Sequence, residues 1–190
     1  METMVFRGGY QDQTGYEAIR YRVEGSRRYK LPSLDVFTTI RGIDLWSTDF
    51  DSLEPVNPSA GAGRLPLNQA GELSDCVLSG DLPCTVAAGG RRRPVTIAFS
   101  RDLHRAAAPL PDPGHRLRLT LTLDGVCYQV TDDWFEGGVP RLERALPPGT
   151  QLMCCVTCLF SDLLTGRAWP DRHPLPPRSQ EPVPGCPLQG

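Results

Sequence analysis

The sharpest hydrophobic pattern in the chain lies at residues 115–123. Leu117, Leu119, Leu121 and Leu123 alternate there with Arg116, Arg118, Thr120 and Thr122. Strict period two puts the leucines on one face and the polar residues on the other, as in a half-buried antiparallel strand. Asp124-Gly125 is a tight hairpin turn by its residue types, and residues 126–130 are the return strand. Weaker alternation predicts a strand over 5–10 that ends at Gly8-Gly9, then a turn at 12–15 and a strand over 16–23. Glu24-Gly25-Ser26 reads as a second turn, making a hairpin into 27–31. A single strand is expected over 35–43, with Val36, Thr38 and Ile40 on one face and Phe37 and Thr39 on the other. Residues 46–55 read as a loop anchored by Trp46, Phe50 and Leu53, and 57–63 as a flexible connector. Residues 73–86 are strand-like but interrupted at Gly80-Asp81 and Pro83. Residues 89–94 read as a turn whose three arginines form a solvated tip. Residues 95–99 are a strand, and 100–114 a long loop with a short helical turn around 102–107.

One convincing helix is predicted over residues 134–146, with Phe135, Val139, Leu142 and Leu146 at helical spacing. Asp132 or Asp133 can cap this helix. Gly137-Gly138 and Pro140 weaken its first turn, so its firm part is expected near Val139, and Pro147-Pro148-Gly149 stop it. The most apolar run, 151–162, follows as a central buried strand against which the upstream chain packs. This order of elements gives a mainly β fold, β-sandwich-like or a β-dominated α+β domain. Its antiparallel strands carry one late helix packed on the sheet. Residues 1–162 form a single β-rich domain. Residues 163–190 hold 7 prolines in 28 residues and have a composition suited to disorder.

Charge and composition narrow the partners. A net charge of −2 over 190 residues gives no electrostatic case for nucleic acid or an anionic membrane. No run approaches the ~18 apolar residues of a membrane span. The first residues lack the basic and apolar regions of a signal peptide. With no secretory signal, the seven irregularly spaced cysteines are expected as reduced thiols in the cytoplasm.

Three of those cysteines supply the candidate chemistry. Cys155-Val-Thr-Cys158 has the spacing of a zinc half-site or a redox pair. On a strand, however, residues three apart face opposite sides, and Cys154 and Cys158, which share a face, lie roughly 13 Å apart. A disulfide needs Cα atoms within about 7 Å. Buried thiols acting as small apolar core residues are the plainest reading. A zinc site would draw on Cys76, Cys154, Cys155 and Cys158, with Asp75 in reserve. A thiol enzyme would use Cys158 or Cys155 as nucleophile, His104 or His115 as base, and Asp162 as the acid. There is no Gly-rich phosphate loop, no His-Glu-x-x-His and no Gly-x-Ser-x-Gly. The leading expectation is a non-catalytic interaction module with no cofactor that binds an as yet unknown protein partner, for which an immunity-type partner of a toxin would fit. The alternative is a Cys-dependent enzyme or zinc-binding protein using the Cys154–Cys158 cluster.

Several segments, taken together, resemble a known family. They are Ile40-Arg-Gly-Ile-Asp44, Thr48-Asp-Phe-Asp-Ser-Leu-Glu-Pro55, Gly71-Glu-Leu-Ser-Asp-Cys-Val-Leu78, Leu119-Thr-Leu-Thr-Leu-Asp-Gly125, residues 142–149 and Cys154-Cys-Val-Thr-Cys-Leu-Phe-Ser-Asp162. The chain is similar from about Tyr10 to Asp162 to a bacterial family of uncharacterised cytosolic proteins, domain of unknown function six-three-zero-four. The Cys-x-x-Cys-x-Phe-Ser-Asp ending is its specific part. The resemblance implies no activity, cofactor or assigned site. The family pattern continues with Tyr-Ser-Pro-x-Gly-His-Gly and later Cys-Phe-Arg, whereas this chain has Leu163-Leu-Thr-Gly-Arg-Ala-Trp-Pro170. One allowed coding of residues 163–169, read one base later, gives Tyr-Ser-Pro-Gly-Gly-His-Gly. The tail is therefore read as a frameshifted read-through, and a metal site needing the later Cys would be lost with it. Cys186, in the Pro-rich tail, is a poor replacement.

Overall fold

A computed structural model describes residues 3–26, 34–103 and 117–154. The strands are β1 (Met4–Asp12), β2 (Gly15–Gly25), β3 (Leu34–Ile40), β4 (Ile43–Ser47), β5 (Glu54–Pro55), β6 (Val77–Ala88), β7 (Arg91–Asp102), β8 (Leu117–Leu123), β9 (Val126–Asp132) and β10 (Thr150–Met153). The helices are α1 (Pro58–Gly61) and α2 (Phe135–Ala145). All strand pairs are antiparallel, in one sheet of order β5-β4-β3-β2-β1-β6-β7-β8-β9. β10 joins from the side, against β6. The fold is thus strand-dominated with a late helix on the sheet, α2 lying against β8 and β9. Among the described residues, no helix is long and apolar enough to cross a membrane.

The leucine alternation of β8 holds as expected. Leu117, Leu119, Leu121 and Leu123 are all buried, and Asp124 and Gly125 both have positive φ in the hairpin turn. Val36, Thr38 and Ile40 face inward, as expected. Other boundaries differ. The single strand expected over 35–43 is a hairpin, with Arg41 and Gly42 at φ 52° and 72° between β3 and β4. Trp46 belongs to β4, while Phe50 and Leu53 are buried anchors. The connector at 57–63 contains α1, capped by Asn57, whose side chain accepts from Ser59 N. β7 begins at Arg91, so the three arginines lie on a strand and the turn is Gly89-Gly90 alone. They are exposed, as expected, and Arg93 pairs with Asp124 at 2.7 Å. β7 also runs on to Asp102, inside the segment expected as a loop. The return strand expected at 27–31 and the helical turn's residues beyond Leu103 lie outside the described residues.

β6 is continuous through Gly80 and Pro83 for a physical reason. A Cβ on Gly80 would lie 2.5 Å from the Phe99 ring, so the glycine makes room for core aromatics and does not break the strand. Pro83 sits where β6 has no neighbour on one side among the described strands: β1 pairs only up to Gly80, and β10 only from Thr85. A missing N–H toward that side costs no ladder bond. The described part of the run beginning at Gln151 lies at the side of the sheet, where β10, four residues long, pairs only the end of β6; residues 155–162 lie outside the described residues.

Helix α2 runs from Phe135 to Ala145, within one residue of the expected bounds at each end, and its first turn is formed despite Gly137 and Gly138. Gly138 packs on Leu117 and Leu119, where a Cβ would come within 3.1 Å of both. Tertiary contact here overrides the low helix propensity of glycine. The N-cap residue is Trp134, which makes no side-chain cap. Asp132 assists one step earlier, accepting from Asp133 N at 2.8 Å and Trp134 N at 3.3 Å.

The core is centred on aromatic rings from five parts of the chain: Phe6, Tyr21, Phe50, Phe99 and Phe135. Their contacting rings lie at centroid distances of 5.1–6.5 Å. Ring pairs of this kind add to the burial they provide. They join β1, β2, β7, the loop after β4, and α2 into one cluster.

Candidate functional site

Alternation assigns Phe6, Gly8 and Tyr10 of β1 to the core face, and Val5, Arg7, Gly9 and Gln11 to the opposite face. That outer face is cut by a groove of about 590 Å³ lined by Arg7, Tyr16, Ala18, Arg20, Asp81 and Ala98, among others. A row of small residues brought together by register runs along this face, with Ala18 and Ser79 lining the groove. Ala18 lies opposite Gly9, Gly9 opposite Ser79, and Ser79 opposite Ser100, across β2, β1, β6 and β7. The Tyr16 ring lies against Gly9, where a Cβ would be 2.6 Å from it, and so forms an aromatic wall.

The rim is cationic. Arg7 lies directly opposite Arg20, and both are exposed. Like charges placed opposite on adjacent strands are destabilising. Arg118 stands on the same face, opposite Ser100 at the far end of the small-residue row. Elsewhere Arg22 pairs with Glu24, Arg41 with Asp12, Arg93 with Asp124, Arg101 with Asp51 and Arg141 with Asp132, while Arg64, Arg91, Arg92 and Arg144 have no ion pair among the described residues. Among the described residues no ion pair joins Arg7, Arg20 or Arg118. Asp81 is the one carboxylate lining the groove.

Two other polar clusters are structural. At the β1–β2 turn, Tyr10 Oη donates to Asp12 Oδ2 (2.8 Å), and Arg41 Nη2 donates to Asp12 Oδ1 (2.7 Å) and to Thr14 Oγ1. The Arg41 N–H donates to the Glu17 carboxylate. These contacts tie the tip of one hairpin to the tip of the next. Although burial opposes it, hydrogen bonding from Arg41, Thr14 and Tyr10 holds the Asp12 carboxyl well below the usual range. Burial and the Asp12 contact push the Tyr10 phenol up. In the second cluster, Asp51 and Arg101 meet at 2.7 Å, with side chains only 7% and 4% exposed. Arg101 Nη1 also donates to Asp133 O at 2.6 Å, joining β7 and the loop after β4 to the start of α2.

Of the candidate residues read from the sequence, Asp75, Cys76 and Cys154 lie among the described residues. Cys76 and Cys154 are both buried. Burial, with carboxylates of Asp12, Asp75 and Asp102 nearby, pushes the Cys76 thiol up to about 12. A nucleophile or metal ligand needs the thiolate, so this environment suits a core thiol. Among the described residues no three His, Cys, Asp or Glu side chains are grouped to hold a metal ion. Cys127 is disulfide-bonded, unlike the reduced state expected of it. Cys155, Cys158, His104, His115 and Asp162 lie outside the described residues. The groove was missed from sequence because its floor needs the β1–β6 and β6–β7 registers. Its Arg7–Arg20 pairing carried a local signal, since counting back from the 12–15 turn aligns them.

No curated protein matches the chain, and no solved structure matches it. A family model described as "Family of unknown function (DUF6304)" matches residues 4–161, from the first strand through the cysteine run. Because that match spans well over half of the sequence, the chain belongs to this family of unknown function.

Proposed function

We propose that this β-rich domain is a non-catalytic, cytoplasmic interaction module, and that the groove on the outer face of β2, β1, β6 and β7 is where its protein partner docks. One observation carries the reading: a groove lined by small residues and by Arg7 and Arg20, which stand opposite one another and join no ion pair among the described residues. A sheet face serving only as solvated surface gains nothing from setting Arg7 against Arg20, since like charges in register oppose folding. The buried setting of Cys76 favours this reading over thiol chemistry at that residue.

The test fills the groove without touching the core. Ala18 is exposed and lies on the groove floor, so Ala18→Trp should leave melting temperature within 2–3 °C, as for a surface change of about 0.5 kcal/mol. Cross-linking in the source cell, quantified for both proteins, should show at least one partner depleted tenfold by the variant. An identical set of cross-linked proteins would remove the groove from consideration as the docking surface.

A further inference from the structure

Resting on that docking reading, we infer that the groove takes an extended acidic segment of the partner, with carboxylates at two places four residues apart. The spacing follows from the sheet. Arg7 and Arg20 occupy adjacent strands, β1 and β2. Arg118, on β8, is separated from β1 by β6 and β7. Strands lie about 4.8 Å apart, so three spacings give roughly 14 Å across the sheet. Arg118 is in register with Gly9 through Ser100 and Ser79, two residues along β1 from Arg7. The backbone separation is therefore roughly 16 Å, and the long arginine side chains span the excess. An extended peptide advances about 3.3 Å per residue and returns each second side chain to the same face. Residues i and i+4 of such a peptide therefore point the same way and are separated by about 13 Å. A carboxylate at i meets the Arg7–Arg20 pair, and one at i+4 reaches Arg118.

The intervening residues lie over Ser79 and Ser100, beside the Tyr16 ring that covers Gly9. Small or polar residues fit there. Tyr16 closes one wall with its ring against Gly9. Asp81, next to Gly80 whose partner is Gly8, stands on β6 beside Arg7 at the edge of the groove. Arginine suits this role, because its planar fork binds carboxylate through two hydrogen bonds. A carboxylate between Arg7 and Arg20 would also relieve their mutual repulsion, so binding and local stability are coupled.

Fluorescence anisotropy on the full chain tests this, using a labelled nine-residue peptide of serine and glycine with glutamates at its third and seventh positions. The controls are the same composition with adjacent glutamates, the peptide with lysines in their place, and a single-stranded oligothymidylate. The expected result is binding of the spaced-glutamate peptide at 20 mM salt, at least fivefold weaker binding of the adjacent-glutamate control, and no binding of the lysine peptide. Affinity should fall steeply by 300 mM salt. Arg7→Ala with Arg20→Ala should lower it tenfold or more, with Arg118→Ala acting at the second glutamate only. Equal binding by the double variant, or tighter binding of the oligothymidylate, would overturn the inference. The two levels separate cleanly. A cross-linked partner lost in Ala18→Trp but retained in the arginine variants sinks the acidic segment and leaves the docking face standing. A partner insensitive to Ala18→Trp sinks the docking face itself.

Discussion

Asp51 is the residue at which two large electrostatic effects of opposite sign meet, and replacing it with asparagine decides between them. Burial is the larger effect and raises its pKa from 3.8 to about 7. Arg101 and the N–H of Phe135 pull the other way, while Asp49 and Glu136 add repulsion. The Arg101 contact is short, at 2.7 Å. Yet Asp51 Oδ1 and Arg101 Nε make no aligned hydrogen bond. Desolvation of a buried ion costs several kcal/mol, and attraction offsets it only with good hydrogen-bond geometry. Burial therefore wins, and the carboxyl holds its proton in the folded state up to near neutral pH.

The sign of the pH dependence follows. Between about pH 4 and 7 the folded chain keeps a proton on Asp51 that the unfolded chain has released. Stability from this group is fully present below pH 4 and is lost as pH rises through about 7. The displacement corresponds to about 4 kcal/mol at most. Asp51→Asn imitates the protonated form at every pH. Its extra amide donors cost roughly 1 kcal/mol if they stay unpartnered. Urea unfolding of both proteins at unit steps from pH 4 to 8 isolates the effect, since other titrating groups cancel in the difference. Wild type should be equal or slightly more stable at pH 4, and the variant ahead by about 3 kcal/mol at pH 8. A wild type that stays more stable than Asp51→Asn at pH 8 would refute the reasoning, because Arg101 would then be holding Asp51 ionised across the whole window.

Leu121 is 1% exposed at the centre of β8, so Leu121→Asp should cost at least 4 kcal/mol and abolish cooperative thermal unfolding; a retained melting temperature would contradict the assigned face. Gly138→Ala puts a methyl 3.1 Å from Leu117 and Leu119, and should cost about 1–3 kcal/mol by overpacking despite alanine's better helix propensity. A gain in urea midpoint would show that α2 can move off the sheet freely. The Tyr21 hydroxyl is buried with no hydrogen-bond partner among the described residues, so Tyr21→Phe should be neutral or stabilising by roughly 1 kcal/mol. A loss above that, by denaturant titration, would mean the hydroxyl has a partner in solution.

What the sequence made legible was local. The β8–β9 hairpin was fully determined by four leucines at period two and an Asp-Gly turn. The β3–β4 turn escaped because Arg41 is an unusual residue for positive φ. It is held there by Asp12, Thr14 and Glu17 from another hairpin, and no window around residue 41 contains that restraint. The same holds for Gly137 and Gly138, read as weakening α2. Gly138 is required by Leu117 and Leu119 beneath it, and a Cβ on Gly137 would meet the Asp132 carboxylate at 2.6 Å. Of the groove, the Arg7–Arg20 pairing was within reach of turn counting. Ser79 and Ala98 were not, because the 51 residues between β2 and β6 leave that register open. The cysteine run offered the most conspicuous motif, but its described part shows a short side strand and a buried Cys154.

Gly8-Gly9 looked like the end of a strand and is instead the place where the two faces of the sheet depend on each other. A Cβ at Gly8 would sit 2.3 Å from the Tyr21 ring on the core side, and one at Gly9 would sit 2.6 Å from the Tyr16 ring on the outer side. Successive residues of a strand point to opposite faces, so this one dipeptide removes side-chain bulk from both at the same step. Gly80, opposite Gly8, extends the relief on the core side, where Phe99 and Phe6 take the space. On the outer side Ser79, opposite Gly9, keeps the floor low. The bare backbone of β1 and β6 is thus at once the ceiling of the aromatic core and the floor of the groove. Glycine in a strand interior costs roughly 0.5–1 kcal/mol in conformational entropy. Tyr21, sealed beneath Gly8, offsets that cost through core burial. Tyr16, 67% exposed, buries far less, so the fold recovers less of that cost at Gly9.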